Sequence, residues 1–206
     1  TLPDTLLGRL QALGGEQNKA LTQLSTGQRI AAPSDDAPAM QRILSLRTEK
    51  HQNQQYYRNS IDGLEVSKTT FATLDQLGQL VGRASELAAG VSGITSDAEY
   101  KAKYSEINQL IEQGVNVANT KLRGSFLLAG DASAAATKPF DATTDANGKI
   151  TSVTYAGSAT SLEMNIAEGT KISAYTTSDE NEDVALSLTK LIALRDAMDA
   201  RSSSLV

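Results

Sequence analysis

LTQLSTGQRIAAPSDD, residues 21–36, is the stretch on which the reading of the fold turns. It carries leucines at helical spacing into a glycine, then a proline, then a fresh helix start. Gly27 ends the incoming helix, because glycine enters the left-handed backbone region without steric cost, and Pro33 prevents the helix from resuming. Ser34 is then a suitable N-cap, with Asp35 and Asp36 in the first turn, where negative charge meets the positive end of the helix dipole. Upstream, Leu6, Leu10, Leu13, Gln17, Ala20 and Leu24 recur at alternating steps of four and three, a heptad seam with one polar position. The spacing predicts a helix from about Pro3 to Leu24. Pro3 and Asp4 suit its first turn, and Gly14-Gly15 weakens its middle into a joint.

Downstream, a helical pattern runs from about Asp35 to Ala89. At 1.5 Å per residue it makes a rod of roughly 80 Å, longer than an ordinary globular helix. Its apolar stripe is read through Ile43, Gln54, Tyr57, Ile61, Leu64, Phe71, Leu74, Val81, Ala84 and Ala88. Gly90, Gly93 and Thr95 break the pattern. Ser96 caps the next helix, with Glu99 completing a capping box. That helix spans about Asp97 to Lys121, with Tyr100, Tyr104, Ile107, Ile111 or Leu110, Val115 and Ala118 on one face. The short connection makes these two helices antiparallel neighbours.

The pattern changes at Gly124. Phe126 to Ala129 reads as a short buried strand, and residues 131–148 as an exposed loop or weak hairpin. Asn147-Gly148 is a type I′ turn signal ahead of a strand from Lys149 to Tyr155. Leu162, Met164 and Ile166 alternate with polar residues as a half-buried strand does, Glu168-Gly169 turns, and Lys171 to Tyr175 is the next strand. Helix returns from about Asn181 to Arg201, with Val184, Leu188, Leu191, Leu194 or Arg195, and Met198 on one face. The expected fold class is mainly α with a small β-rich insert, an elongated antiparallel helical rod or bundle. Its expected parts are a terminal helix and turn (1–33), a helical rod (34–125 with 177–206) and a β-rich domain (126–176). The sequence opens at Thr1 and stops at Val206 inside helix-like sequence, so both native ends are expected to lie outside it.

Composition narrows the function. Of 206 residues 40% are apolar but only 4% aromatic, with no Trp, which predicts a thin core of Leu, Ile, Val and Ala. The net charge of −5 argues against binding nucleic acid through a general positive field. The absence of cysteine removes disulfides, thiolate zinc sites and thiol catalysis together. No stretch reaches the roughly 18 apolar residues of a membrane span, and no basic-then-apolar signal peptide opens the chain. His51, the one histidine, lies in EKHQNQQ and reads as an exposed helix residue. No nucleophile elbow, phosphate loop or dinucleotide fingerprint is present. Asp179, Glu180, Glu182 and Asp183 lack the spacing of a calcium loop and suit a helix N-terminus. Asp35-Asp36 could serve acid–base chemistry, but helix capping accounts for them better. No cofactor or metal is expected, nor any enzymatic activity. Arg29, in a non-helical turn, is either a solvated charge or a fixed cation paired with a carboxylate on a neighbouring helix or subunit. The leucine seam of the first helix exceeds what this chain obviously covers, and a bare seam is an interaction surface.

Residues 24–49, LSTGQRIAAPSDDAPAMQRILSLRTE, resemble the N-terminal signature of the flagellin superfamily, a pattern of the form L-S-[ST]-G-x-R-I-x-x-x-x-D-D. The resemblance continues through residues 54–88 and 106–130. ANTKLRGSFLLAG at 118–130, followed by Lys138-Pro139-Phe140, is similar to the hook-associated protein 3 branch, whose members join hook to filament. Phe126 stands for that branch's usual Tyr, and Leu128 for its usual Phe. The resemblance implies a structural, axially assembling subunit of the bacterial flagellum, exported unfolded without a cleavable signal and placed outside the cell. It implies self-association in a ring or helical assembly, contact with a neighbouring hook-associated protein and with flagellin, and an export chaperone, but neither nucleic acid nor membrane as partner. It assigns the assembly interface to Leu6, Leu10, Leu13, Leu24, Arg29, Ile30, Asp35 and Asp36, and turns the β-rich domain outward. A short flagellin that builds the filament itself is the alternative. RASELA at 83–88 also resembles the stretch of flagellins sensed by a Toll-like receptor, with Arg83, Glu86 and Leu87 matching.

Overall fold

A computed structural model describes residues 2–30, 32–91, 96–132 and 137–203, which form two compact units, Thr1–Gln55 and Tyr56–Val206. The first unit holds α1 (Leu2–Thr26), a turn, and the start of α2 (Ala37–Ala89). α1 runs unbroken through Gly14-Gly15, so the expected joint does not form. A glycine costs a helix about 1 kcal/mol relative to alanine but does not by itself bend it. Gly27 ends α1 as expected, with φ +65° and its N–H on the Gln23 carbonyl at 2.9 Å. α2 starts two residues later than the sequence suggests. The Asp35 N–H reaches back to the Ala32 carbonyl at 3.0 Å, closing a turn with Pro33 at its second position. Ser34 is used up inside that turn and does not cap. Asp36 caps instead, its carboxylate accepting the Ala39 N–H at 3.1 Å.

Among the described residues, the second unit is a helical core with three antiparallel hairpins. α3 (Asp97–Ala118) begins at the expected Ser96–Glu99 capping box. Gly93 and Thr95, read as helix breakers, and residues 133–136 of the expected 131–148 loop lie outside the described residues. α4 (Ser178–Ser203) starts three residues earlier than expected, because Thr177 and Glu180 form a second box: the Thr177 N–H donates to Glu180 at 2.8 Å. α4 runs antiparallel to α3. The Tyr100 hydroxyl donates to the Met198 carbonyl, Arg195 to Asn108 Oδ1 at 2.9 Å, and Gly114 faces Leu188. A Cβ at Gly114 would come within 2.7 Å of Leu188 Cδ2, so glycine is what lets these helices approach. α2 and α3 are also antiparallel, tied by Arg83–Glu106 at 2.8 Å and by Lys103 on the Gly90 carbonyl. Ile107, Ile111, Leu188, Leu128 and Phe140 are essentially fully buried in the core that the helices and hairpins share.

The buried face of α2 is not the stripe read from the sequence. Gly63, Val66, Thr70, Thr73, Leu77, Leu80, Ala84 and Leu87 point inward. Of the expected stripe only Ala84 is fully buried, while Leu74, Val81 and Ala88 are half-buried. Tyr57, Ile61, Leu64 and Phe71 are exposed, at 68%, 46%, 54% and 73%. The buried positions recur at alternating steps of three and four from Gly63 to Leu87, and the fit is tight at Gly63, where a Cβ would lie 2.9 Å from Met164 Sδ.

The hairpins also reassign the turns. β1 (Lys121–Leu122) and β2 (Ser125–Phe126) pair across Arg123-Gly124, whose φ values of +52° and +89° are those of a type I′ turn. α3 therefore ends at Ala118 rather than near Lys121, and Leu127 to Ala129 are buried beyond the ladder rather than inside a strand. β3 (Phe140–Thr144) and β4 (Ile150–Tyr155) pair across residues 145–149. There only Gly148 has positive φ, so Asn147-Gly148 is not a type I′ turn. Asp145 holds this loop, its carboxylate accepting the N–H groups of Asn147 and Lys149 at 2.8 and 2.9 Å. β5 (Glu163–Ala167) and β6 (Thr170–Ser173) pair across the expected Glu168-Gly169 turn. Asn119 joins helix to hairpin: its side chain donates to the Phe140 carbonyl and accepts the Phe140 N–H, at 2.9 and 3.0 Å. The fold class is mainly α with a small β region, as expected.

Candidate assembly surfaces

The leucine seam of α1 lies open. Leu6, Leu10, Leu13 and Leu24 are 64%, 59%, 64% and 84% exposed, and Leu7 and Leu21 are exposed beside them. Covering one such side chain yields about 1.5–3 kcal/mol, so a row of them is a large unspent attraction for another apolar surface.

The turn after α1 is stitched by charge. Arg29 reaches Asp36 at 3.3 Å, and Lys19 reaches Asp35 at 2.9 Å. The two carboxylates divide the work: Asp36 also caps α2, and Asp35 also accepts the Ala32 N–H at 3.0 Å. The Gln23 side chain donates to the Arg29 carbonyl at 2.9 Å, and Ile30 is half-buried. Arg29 is thus paired, within its own chain, yet remains 70% exposed. A pair this exposed contributes less than about 1 kcal/mol, leaving the guanidinium free to meet a further acceptor. The structure brings Arg29, Asp35 and Asp36 together but does not join Leu6, Leu10 or Leu13 to them. Lys19 and Gln23 are the turn's partners that sequence reading missed. Their i,i+4 spacing on the last turns of α1, with Lys19 ahead of a doublet of carboxylates, was the available signal.

A second polar cluster ties the β3–β4 hairpin to α4. Lys149 Nζ lies 3.0 Å from Asp196 and 3.2 Å from Asp199, over the face of the Tyr104 ring. Arg195 is fully buried, with Asp196 at 2.8 Å and Asn108 at 2.9 Å. Burial works against the Lys149 charge, but Tyr104 and the two aspartates more than offset it and hold the ammonium above its ordinary pKa. Burial likewise pushes the Asp196 carboxyl up, and Arg195 and Lys149 together bring it below the usual range. A shallow cleft of about 400 Å³ opens here, lined by Tyr104, Asn108, Asp145, Lys149 and Asp199. Its charges satisfy one another, so it reads as a strap between elements. Arg83 is engaged by Glu106 and Glu86, and Leu87 is buried. His51 is exposed on α2, and no described helix is long and apolar enough to cross a membrane.

These surfaces sit on a chain with clear relatives. Over 117 residues it is 32% identical to phase 1 flagellin of Salmonella naestved, covering 55% of this chain and 23% of that one. The chain therefore spans about a quarter of the length of the curated flagellins it matches. A solved protein described as a flagellar hook-associated protein from Vibrio parahaemolyticus superposes with TM-score 0.60 at 15% identity, covering 84% of this chain and 91% of that one. Xanthomonas campestris FlgL superposes with TM-score 0.54 at 24% identity, covering 64% and 41%. These two likenesses are of fold. The profile of the bacterial flagellin N-terminal helical region matches residues 8–133, which take in most of α1, the stitched turn, α2, α3 and the first hairpin. With more than half of its length in that match, the chain belongs to the bacterial flagellin N-terminal family.

Proposed function

We propose that this chain is a structural axial subunit of the bacterial flagellum that joins hook to filament by packing its helices against those of neighbouring subunits. One observation carries the reading: within a flagellin-family chain, the leucine seam of α1 is bare while the turn beside it is fastened by ion pairs. A seam without an internal partner is completed from outside. Leu6, Leu10, Leu13 and Leu24 form the apolar part of that interface, and Arg29, Ile30, Asp35 and Asp36 its anchored end. The partners are further copies in a ring or helical array, a neighbouring hook-associated protein and flagellin, with a chaperone during export. The chain leaves the cell unfolded through the flagellar export apparatus, without a cleavable signal. It acts as a building element with no catalytic role. In this reading residues 1–33 pack axially, 34–125 with 177–206 form the supporting helices, and 126–176 face outward.

A deletion strain tests it. Cells lacking the gene should secrete filament protein yet carry no attached filaments, and normal attached filaments would overturn the proposal. The second reading is a flagellin that forms the filament itself. It is favoured by the 32% identity to Salmonella flagellin, against 15% and 24% for the two hook-associated structures. Under that reading the deletion removes the filament protein itself from the medium. In either case Leu10→Asp should block polymerisation of the native full-length protein while preserving its helicity, because a buried unpaired charge is costly.

A further inference from the structure

The outer face of α2 in the second unit is exposed and patterned for one partner. Tyr57, Ile61, Leu64 and Phe71 stand on the side away from the buried stripe, at steps of four, three and seven. The same line continues through Lys68 and Asp75, both exposed, and ends in Gly78 and Gly82, where an added Cβ would meet nothing within 4 Å. Bulk is therefore gathered at one end of the line and open space at the other, with one cation and one anion near the middle.

That order is self-complementary about Phe71. Leu64 lies seven residues before it and Gly78 seven after. Ile61 lies ten before and Gly82 eleven after, and Tyr57 and Ser85 lie fourteen to either side. Lys68 lies three before and Asp75 four after. A second α2 laid antiparallel across this face sets Leu64 over Gly78, Ile61 over Gly82 and Tyr57 over Ser85. It sets Lys68 against Asp75 twice, with Phe71 meeting Phe71 on the axis. A parallel copy would instead set Lys68 against Lys68, Asp75 against Asp75, and glycine against glycine.

We infer that this face binds a second copy of the chain, antiparallel and twofold symmetric, with the axis at Phe71. Such an isologous contact uses the same face of both partners and is closed after two chains. It is thus distinct from the head-to-tail packing that an axial polymer requires, and it does not depend on the hook–filament reading.

The chain has no cysteine, so single introduced thiols report on the geometry. Under mild oxidation Phe71→Cys should form a disulfide-linked homodimer, since only residues near a twofold axis bring their own Cα atoms within bridging range. Leu64→Cys alone should form no disulfide-linked dimer, and a mixture of Leu64→Cys and Gly78→Cys chains should give the mixed cross-linked dimer. Leu64→Cys cross-linking to itself as readily as Phe71→Cys would overturn the antiparallel arrangement. So would Phe71→Cys reacting no faster than Gln52→Cys, an exposed reference position on the same helix. Sedimentation gives a second measurement with Phe71 in place. Lys68→Asp or Asp75→Lys alone should weaken dimerisation about tenfold, as two ion pairs become like-charge contacts, and the double reversal should restore it to within about threefold. A wild-type chain that remains monomeric at every concentration, or that dimerises equally well with either single reversal, would refute the pairing. Unchanged far-ultraviolet circular dichroism confirms that these exposed substitutions leave the helices formed.

Discussion

In Thr1–Gln55 no described side chain is fully buried, although six of the described leucines of α1 are exposed. In Tyr56–Val206 the inward stripe of α2 includes Gly63, Thr70, Thr73 and Ala84 among its larger members, while Tyr57 and Phe71 face outward. The more apolar seam is open and the less apolar one is closed. Burial here follows the availability of packing partners, and side-chain hydrophobicity comes second. α3 and α4 approach the core closely enough to reward glycine, whereas nothing within its own unit covers the leucines of α1.

The sharpest way to break that contrast is a matched truncation. Ile111→Ala, at a fully buried site, should lower the unfolding free energy by about 3–4 kcal/mol, and Leu13→Ala in α1 by no more than about 0.5 kcal/mol. Urea denaturation followed by circular dichroism measures both, and equal losses would mean that α1 is covered after all. Next in size is Arg195→Ala. It leaves Asn108 and Asp196 without their cation in the α3–α4 interface and should cost about 2–3 kcal/mol.

Acid titration sharpens the comparison further. The Asp196 carboxyl is held below its ordinary range, so its stabilising contribution is present above the unfolded carboxylate pKa and is lost as pH falls through the folded one. Between about pH 5 and 2 the wild type should lose up to about 1 kcal/mol more than Asp196→Asn, a figure limited by the half-exposure of this side chain. Lys149 carries the opposite sign: its pKa is raised, so its contribution persists through neutral pH and is lost only in strong alkali. The smallest effect is at the type I′ turn. Arg123 holds a left-handed backbone while its side chain pairs with Asp62 at 2.9 Å and with Glu65. Arg123→Gly relieves the backbone as it removes the pairs, so its melting temperature should lie closer to wild type than that of Arg123→Ala, which keeps the strain and loses the pairs.

Much of this was legible in the residues. Gly27, the Ser96–Glu99 box and the helical spacing of Ile107, Ile111, Leu188 and Leu191 act locally or along a single face, and they are where the sequence placed them. The face of α2 was misread because Tyr57, Ile61, Leu64 and Phe71 suggested a core by their size, whereas the buried positions form a separate line from Gly63 to Leu87. The turn types were exchanged because Asn147-Gly148 has the favoured composition, while Arg123-Gly124 needs its position on a two-residue hairpin to be recognised. Asn119, Arg195 and Lys149 became visible only when distant elements met, as their partners are 21 to 87 residues away. For the interface residues, Arg29, Asp35 and Asp36 could be grouped from their shared turn, but their division between Lys19, Arg29 and the α2 cap could not.

By itself the sequence determined the helices, the sharp turn between the first two, the small β-rich insert and the flagellin signature, because each is written in spacings of a few residues that the backbone must obey. Tertiary structure alone decided which face of α2 goes inside, how Arg195 is buried and which leucines remain bare. Those outcomes depend on which elements meet, and that is set by pairs of residues far apart in the chain.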